Sequence, residues 1–283
     1  MRKSKKLHPG NLLLEFILLL ASLLVVIPLL VVIFGSLKSQ AEAMRFDLAL
    51  PSELHLENFV KVAQKGNVPL AFKNSMIVTA AVVLVVTLCT SLSSFVIARR
   101  NDRFSSFLSG YYSLGLIVPW AIVPTVLLLK ILHIQNTQLG LIAVLIALNI
   151  PWGSFIITNF INTIPRELDE AAAIDGCGPL KTFLRVMVPN AAAIYLTGIL
   201  LSMVWYWNDY YISSMLMDQT KTVTVALSHL REGMWKFVSG KDLELTMLRM
   251  QAGCLLAILP PMVVYFFAQK KFTESVERSG IVG

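Results

Sequence analysis

The chain has 283 residues, of which 56% are hydrophobic and 14% are charged, and its mean hydropathy is +0.70. Soluble domains carry about 25% charged residues, so the composition excludes a soluble globular domain and predicts a membrane protein with several spans. The net charge of +7 does not indicate nucleic-acid binding, because its distribution follows membrane topology.

Six uncharged runs are long enough, at about 20 residues each, to cross a bilayer as helices. The chain is therefore predicted to be an all-α membrane protein with six transmembrane helices. The predicted spans are Phe16–Leu37, Ser75–Ala98, Phe107–Leu129, Leu139–Ile161, Ala191–Asn208 and Met250–Phe267.

Lys and Arg in the short connections predict the orientation of the chain. Arg99 and Arg100 follow the second run, whereas the connection at 135–138 is uncharged. Because cytoplasmic connections carry the excess of Lys and Arg, both termini and the connection at 165–189 are predicted to be cytoplasmic. The connections at 38–73 and 213–247 then lie outside, and their length indicates a function, which we expect to be contact with an extracytoplasmic protein. Residues 220–225 have strand character.

The cytoplasmic connection at 165–189 is polar and has the pattern of two short helices joined by a turn. Pro165 suits a first helical position, and the acidic residues after it complement the positive end of the helix dipole. Gly176 can adopt the left-handed conformation that ends a helix, and Pro179 opens the second helix. Taken alone, this pattern also fits an amphipathic interfacial loop without a partner.

The sequence offers no chemistry for catalysis or energy conversion. It contains no GxxxxGK[ST] loop, its four histidines have no metal-ligand spacing, and its three cysteines are scattered. The predicted spans contain no Asp or Glu, although ion-coupled carriers usually keep carboxylates within the membrane. We therefore predict that the chain is not an enzyme, binds no metal, and receives its energy at the cytoplasmic connection.

The same connection resembles the EAA signature of the permease subunits of ABC importers. Glu170, Ala171 and Ala172 are followed by Gly176 and Pro189 at the spacing of that signature, with Val186 and Val188 in place of its Ile and Leu. The chain is most similar to the MalG-like carbohydrate branch. Further matches are Asn74-Ser75, Ala98-Arg99-Arg100, Gly140-Leu141 and Trp207-Asn208-Asp209-Tyr210, where the branch usually has Trp-Asn-Glu-Phe.

This resemblance implies a type I ABC importer permease fold, with a cytoplasmic coupling helix between spans four and five. It implies a cytoplasmic N-terminus (1–15), a first span (16–37), an extracytoplasmic loop (38–73), a permease core of spans two to six (74–269) that includes the EAA loop (165–189), and a cytoplasmic tail (270–283). It also implies residence in a bacterial cytoplasmic (inner) membrane.

The resemblance further implies the partners and the residues that couple to them. The partners are an ABC ATPase dimer, a second, MalF-like permease and an extracytoplasmic substrate-binding protein, in a lipid bilayer and without nucleic acid. This chain binds no cofactor, since ATP and Mg belong to the ATPase subunits. The implied coupling residues are Glu170, Ala171, Ala172, Asp175, Gly176 and Pro189.

The cluster at Trp207, Asn208, Asp209 and Tyr210 is either an interfacial aromatic belt or part of a translocation path or gate. Asn149 and Asn159 lie in the fourth span, where they either line a polar path or form interhelical hydrogen bonds. The predicted cargo is a carbohydrate. The alternatives are an importer permease for a polyamine, a peptide or another small solute, and a secondary carrier or channel subunit.

Overall fold

The computed structural model describes residues 9–65, 67–217, 221–236 and 250–269, and within these ranges its regular structure is helical. A single-turn π-helix, Phe183–Met187, separates α9 from α10. In chain order the helices are α1 (Pro9–Leu37), α2 (Gln40–Ala43), α3 (Glu57–Lys65), α4 (Val68–Arg99), α5 (Arg103–Ile117), α6 (Ile122–Ile131), α7 (Gln138–Thr163), α8 (Glu167–Ile174), α9 (Pro179–Thr182), α10 (Val188–Asn190), α11 (Ala192–Trp207), α12 (Tyr211–Leu216), α13 (Val223–Lys236) and α14 (Met250–Gln269).

Four helices of the described ranges are long and apolar enough to cross a bilayer, namely α1, α4, α7 and α14. They contain the whole of the predicted first, second, fourth and sixth spans. A fifth crossing results if Pro179–Asn190 and Ala192–Trp207, which meet at an angle of 76°, are counted as one bent span. A multi-pass membrane protein is thus evident from the lengths and composition of the helices.

The predicted third span, Phe107–Leu129, is wrong as a single continuous helix. The chain forms α5 and α6 there, with an extended segment between them in which Val118 has ψ 121°. Pro119 explains the break, because it lacks an N–H and disfavours the α conformation of the residue before it. The Trp120 Nε1 group then donates a hydrogen bond to Thr125 Oγ1 at 3.0 Å, which holds the start of α6.

The chain divides into two compact units, one of residues 1–68 and 226–259 and the other of residues 69–225 and 260–283. In the first unit a buried polar network orders the connection that follows α1. Lys38 Nζ, in a side chain only 2% exposed, pairs with Asp47 Oδ1 at 2.5 Å. Asn58 Nδ2 donates to the carbonyl oxygens of Ser36 and Lys38 at 2.9 and 3.1 Å. These bonds satisfy polar groups that would be costly to bury alone.

In the second unit α4 and α7 pack closely through small residues. A Cβ atom on Gly153 would lie 2.8 Å from Thr90 Cγ2, so only glycine allows this approach. The hydroxyls of Ser93 and Ser154 are 3.0 Å apart, and Ser94 Oγ donates to the Ser154 carbonyl at 3.0 Å. Small residues and interhelical hydrogen bonds are the usual means of joining helices in a bilayer. They make α4 and α7 a tightly packed pair.

The second unit also contains the residues for which strand character was predicted. Val223–Val225 begin α13, so that prediction is wrong for them, and residue 220 lies outside the described ranges. The start of α13 contacts helix α4, where Ser75 Oγ accepts a hydrogen bond from the Val223 N–H at 2.9 Å. Asn74 Nδ2 donates to the Lys221 carbonyl at 3.1 Å. Asn74 and Ser75 thus hold this segment against α4.

Candidate functional site

Helix α8 is the first helix of the connection at 165–189. It begins at Glu167 with Arg166 as its N-cap, so the prediction that Pro165 occupies the first helical position is wrong. Its first turn carries Glu167, Asp169 and Glu170, and no basic residue stands in its last turn. The carboxylates lie near the positive end of the helix dipole, which stabilises a helix of only eight residues. Ala172 faces inward and is 6% exposed. The neighbouring Ala171 is exposed, so the two alanines of the signature differ in burial.

A Schellman turn centred on Gly176 ends α8. Gly176 has φ +73°, its N–H donates to the Ala173 carbonyl at 3.0 Å, and the Cys177 N–H donates to the Ala172 carbonyl at 2.9 Å. These are the two bonds that define the motif, which favours glycine because of the positive φ. Asp175 precedes the turn and is exposed. The turn therefore fixes the angle at which the chain leaves α8.

The segment after the turn ends in a sharp corner before α11. Pro189 lacks the N–H needed to continue an α-helical ladder, and the turn just before it is the π-helix. A wider turn of this kind relieves the clash between a proline ring and the preceding carbonyls, and π-helical turns often occur at functional positions. At the corner Ala191 is fully buried, and the helix axis turns by 76°.

The connection presents one buried face and one exposed face. Thr182, Phe183 and Met187 are buried, and Phe183 packs on Phe95 of α4 with ring centroids 5.4 Å apart. The other face, called here the outer face, carries exposed polar and apolar side chains. It comprises Glu170, Asp175 and the apolar residues Ile174, Leu180 and Leu184, which are 87%, 64% and 55% exposed. Exposed apolar residues rimmed by charges are typical of a protein–protein contact surface.

An ion pair that the sequence did not predict joins this connection to α4. Arg99 Nε lies 2.7 Å from Asp169 Oδ2, and the two side chains are 9% and 22% exposed. Burial raises the pKa of the Asp169 carboxyl, and the positive charge of Arg99 opposes that rise. In the sequence, the basic residue at the end of one span and the acidic residue lie 70 positions apart. This separation matches no recognisable motif.

The predicted cluster after the fifth span separates into structural and exposed residues. Trp207 is 1% exposed and packs edge-on against Phe72 at 5.6 Å. Asp209 accepts hydrogen bonds from the Ser213 N–H and Oγ at 2.8 and 2.7 Å, which caps α12. Asn208 is exposed, and its Nδ2 group donates to the Val204 carbonyl at 2.9 Å. Tyr210 is 45% exposed.

A cavity of 550 Å³ lies among α4, α7 and α11, in the part of the chain that the spans occupy. Asn149 lines it, and its Nδ2 group also donates to the Leu145 carbonyl at 2.7 Å. Asn159 does not line it and is exposed on α7. The cavity joins aromatic surface to a few polar groups, a combination that suits a small ligand. Its aromatic and polar lining residues are Thr87, Thr90, Asn149, Trp152, Tyr195, Ser202, Trp205 and Tyr206.

No group of three or more His, Cys, Asp or Glu side chains among the described residues could hold a metal ion. The outer face exposes apolar side chains of the kind found in contact surfaces, and the cavity has room for a small molecule. Within the described ranges, neither contains a pair of groups placed for nucleophilic catalysis.

Comparisons with known proteins agree with this arrangement. The family model described as "Binding-protein-dependent transport system inner membrane component" matches residues 90–278. The chain is 28% identical to the "Probable starch degradation products transport system permease protein AmyC" of Thermoanaerobacterium thermosulfurigenes, over 96% of this chain and 97% of that protein. It is 29% identical to the "Diacetylchitobiose uptake system permease protein NgcG" of Streptomyces coelicolor, over 93% of this chain and 86% of that one.

A solved structure shares the fold. A chain from the crystal structure of a bacterial ABC transporter involved in the import of the acidic polysaccharide alginate superposes with a TM-score of 0.80 at 17% identity, covering 96% of this chain and 99% of that chain. The match supports the predicted type I permease fold. The chain belongs to the family of binding-protein-dependent transport system inner membrane components, and is a multi-pass transport component rather than an enzyme.

Proposed function

We propose that this chain is a membrane-spanning permease subunit of an ATP-driven ABC importer, and that its cargo is a sugar or oligosaccharide delivered by an extracytoplasmic binding protein. The observation that carries the proposal is the full-length similarity to permeases named for oligosaccharide uptake, which covers 96% and 93% of this chain. The outer face adds physical support, because it gives the chain a surface on which a partner can act.

The energy for transport enters at residues 165–189. The ATPase holds the outer face, with Glu170 paired to a basic residue and with Ile174, Leu180 and Leu184 buried against apolar surface. Ala171 allows close approach on the exposed side, while Ala172 anchors α8 from within. Gly176 and Pro189 set the angles at the two ends of the second half of the connection. Asp175, exposed beside the turn, completes the charged rim.

The partners are those of the MalG-like branch of the family. An ATPase dimer binds ATP and Mg and hydrolyses the nucleotide, a MalF-like permease completes the membrane pathway, and the binding protein docks on the extracytoplasmic side. This chain binds no cofactor of its own. The absence of a GxxxxGK[ST] loop from the whole sequence supports that division of labour.

The proposed topology has six membrane crossings, and two of these crossings are irregular. In one, α5 and α6 together cross the bilayer around the break at Pro119. In the other, α11 completes a span that begins in the bent segment before it. Non-helical backbone at membrane depth is tolerated where it is buried in protein, and Val118 at the break is 63% exposed on this chain, so the proposed topology places the break against a partner subunit. The protein resides in the inner membrane of a bacterial cell. Both of its termini lie in the cytoplasm.

The path of the cargo passes the cavity among α4, α7 and α11. Trp152 and Trp205 offer ring faces on which a sugar can stack, and Asn149 offers an amide for its hydroxyls. Trp207 and Asp209 hold the adjoining turn in place and so act as gate residues through packing. Asn208, Tyr210 and Asn159 remain predicted path residues, each exposed on its helix or turn.

The proposal is tested by reconstituting the transporter in proteoliposomes that contain ATP, with binding protein outside. Starch fragments and diacetylchitobiose serve as carbohydrate probes beside a peptide and a polyamine. We expect ATP-dependent uptake of a carbohydrate and none without nucleotide. Uptake of the peptide or the polyamine instead would correct the cargo. Uptake by this chain alone under an ion gradient would overturn the proposal.

A further inference from the structure

Arg99, in the last turn of α4, contacts three other elements at once. Its Nε lies 2.7 Å from Asp169 of α8, and its Nη2 donates to the carbonyl of Ile164 at the end of α7 at 2.9 Å. The same Nη2 lies 4.0 Å from the sulfur of Met187 in the π-helix. The guanidinium at the end of α4 therefore contacts α8, the π-helix and the end of α7 together.

The two neighbouring carboxylates of α8 face in different directions. Asp169 points inward to Arg99 and is 22% exposed, whereas Glu170 is exposed on the outer face. A partner that grips Glu170 therefore pulls on a helix whose adjacent residue is tied to α4. The geometry gives α8 an outer contact for receiving force and an inner contact for passing it on.

The polar contacts of Arg99 differ in kind from the apolar packing around them. Ala98, Ile164 and Met187 belong to one buried apolar cluster behind the ion pair. Apolar packing is non-directional, so it permits one helix to slide over another. The Arg99 guanidinium donates a hydrogen bond to the Ile164 carbonyl, which is directional, and forms an ion pair with the Asp169 carboxylate. Arg99 thus links α4 to α8 and to the end of α7 through polar contacts.

The adjacent arginine provides a natural contrast. Arg100 is 62% exposed and pairs with Asp102 at 2.5 Å, so its ion pair stays within the connection between α4 and α5. The two arginines have the same charge and neighbouring positions in the sequence. They differ in burial and in the element to which each is paired.

We infer that Arg99 is the positioning residue through which displacement of α8 by the ATPase reaches the cytoplasmic ends of α4 and α7. The inference rests on the proposed function, since it assumes that the outer face docks on an ATPase. It assigns Asp169 and Arg99 a role in transmission rather than in docking, because both side chains are mostly buried, although they line a cavity that also reaches Leu180 of the outer face.

The test uses the complete transporter, purified with its ATPase through a tag on this chain. The variants are Arg99→Gln, Arg99→Lys and Asp169→Asn, and Arg100→Gln is the matched control. The measurement is the ratio of ATP hydrolysis with loaded binding protein to basal hydrolysis, per assembled complex. A residue that served only folding would reduce the amount of complex and leave this ratio unchanged.

We expect Arg99→Gln and Asp169→Asn to lower the ratio about tenfold, within the usual range for coupling between two sites, while the control stays within about twofold of the wild type. Arg99→Lys keeps the buried charge but lacks the planar guanidinium that donates to the Ile164 carbonyl. We therefore expect a smaller loss of the ratio in a chain that still assembles. Should Arg99→Gln fail to accumulate, the ratio of the lysine variant decides the question.

An unchanged ratio in assembled Arg99 variants would overturn the inference, and so would an equal loss in the Arg100 control. The proposed function fails in a different way. If the wild-type chain brings down no ATPase, or its complex shows no stimulated hydrolysis, the docking proposal is wrong irrespective of Arg99.

Discussion

Replacement of Gly176 isolates the contribution of one turn to coupling. The residue has φ +73°, and a Cβ atom placed on it would meet nothing within 4 Å. Gly176→Ala therefore adds no clash, and its cost is that of the left-handed conformation alone, about 1–2 kcal/mol. That cost lowers the population of the native turn relative to its competitors by about 5- to 30-fold. Gly176→Asn costs less, because asparagine tolerates this conformation.

Gly176→Pro is the more severe change in the same series. Proline fixes φ near −65° and removes the N–H that donates to the Ala173 carbonyl at 3.0 Å, so we expect a cost of about 3 kcal/mol or more. Since this loss is confined to an exposed turn, the chain should still insert into the membrane. ATP-driven uptake and stimulated hydrolysis should fall in the order Gly, Asn, Ala, Pro.

Gly178 is the matched control for this series. It lies two residues along and has φ −74° and ψ 167°, a conformation open to any residue. A Cβ atom placed on it would also meet nothing within 4 Å, so Gly178→Ala should leave uptake unchanged. Wild-type uptake by Gly176→Pro in an intact complex would refute the reasoning. An equal loss in Gly178→Ala would also refute it, because the positive φ would then not be the cause.

Three further changes test other parts of the account. Glu170→Lys should leave the chain in the membrane but abolish uptake, with Glu170→Gln intermediate; normal uptake by the lysine variant would exclude Glu170 from docking. Trp152→Ala should raise the sugar concentration for half-maximal uptake by at most about tenfold, since an aromatic stack contributes ~0.5–1.5 kcal/mol. Phe155→Ala is its control, because Phe155 stacks on Trp152 at 6.3 Å without lining the cavity. The hydrogen bond from Lys38 lowers the pKa of Asp47 below its ordinary 3.8, so the stabilisation is fully present above that value and is lost as the pH falls through the lowered pKa. Thermal unfolding in detergent should show this acid loss, and Asp47→Asn should remove it; an unchanged acid profile in that variant would contradict the pairing.

The coupling connection was predictable because its signals are local. The acidic first turn and Gly176 act within a few residues and specify a helix start and a helix end, whereas Pro165 lies just before N-cap Arg166 and outside the helix. The apolar runs that became α1, α4, α7 and α14 were predictable for the same reason, since length and composition alone determine whether a helix can span.

Three features were not predictable because they depend on distant or competing interactions. Pro119 lies in an apolar run that hydropathy predicts to be one continuous helix. Hydropathy does not take account of the missing N–H of proline, which breaks that helix. The pairing of Arg99 with Asp169 joins residues 70 positions apart, and only the packing of α4 against α8 brings them together. Trp207 is a third case, because composition alone does not distinguish a membrane-interface aromatic from one buried against Phe72.

The central claim is that an ATPase in the cytoplasm drives this chain by gripping residues 165–189. The most direct measurement is site-specific photo-crosslinking in membranes that contain the whole transporter, with the reactive group at Ile174, which is 87% exposed on the outer face. Position 24 of α1, a leucine 78% exposed along a span, is the control. We predict an adduct with the ATPase from position 174 and none from position 24. An adduct of position 174 with the binding protein, or with no nucleotide-hydrolysing chain, would contradict the account.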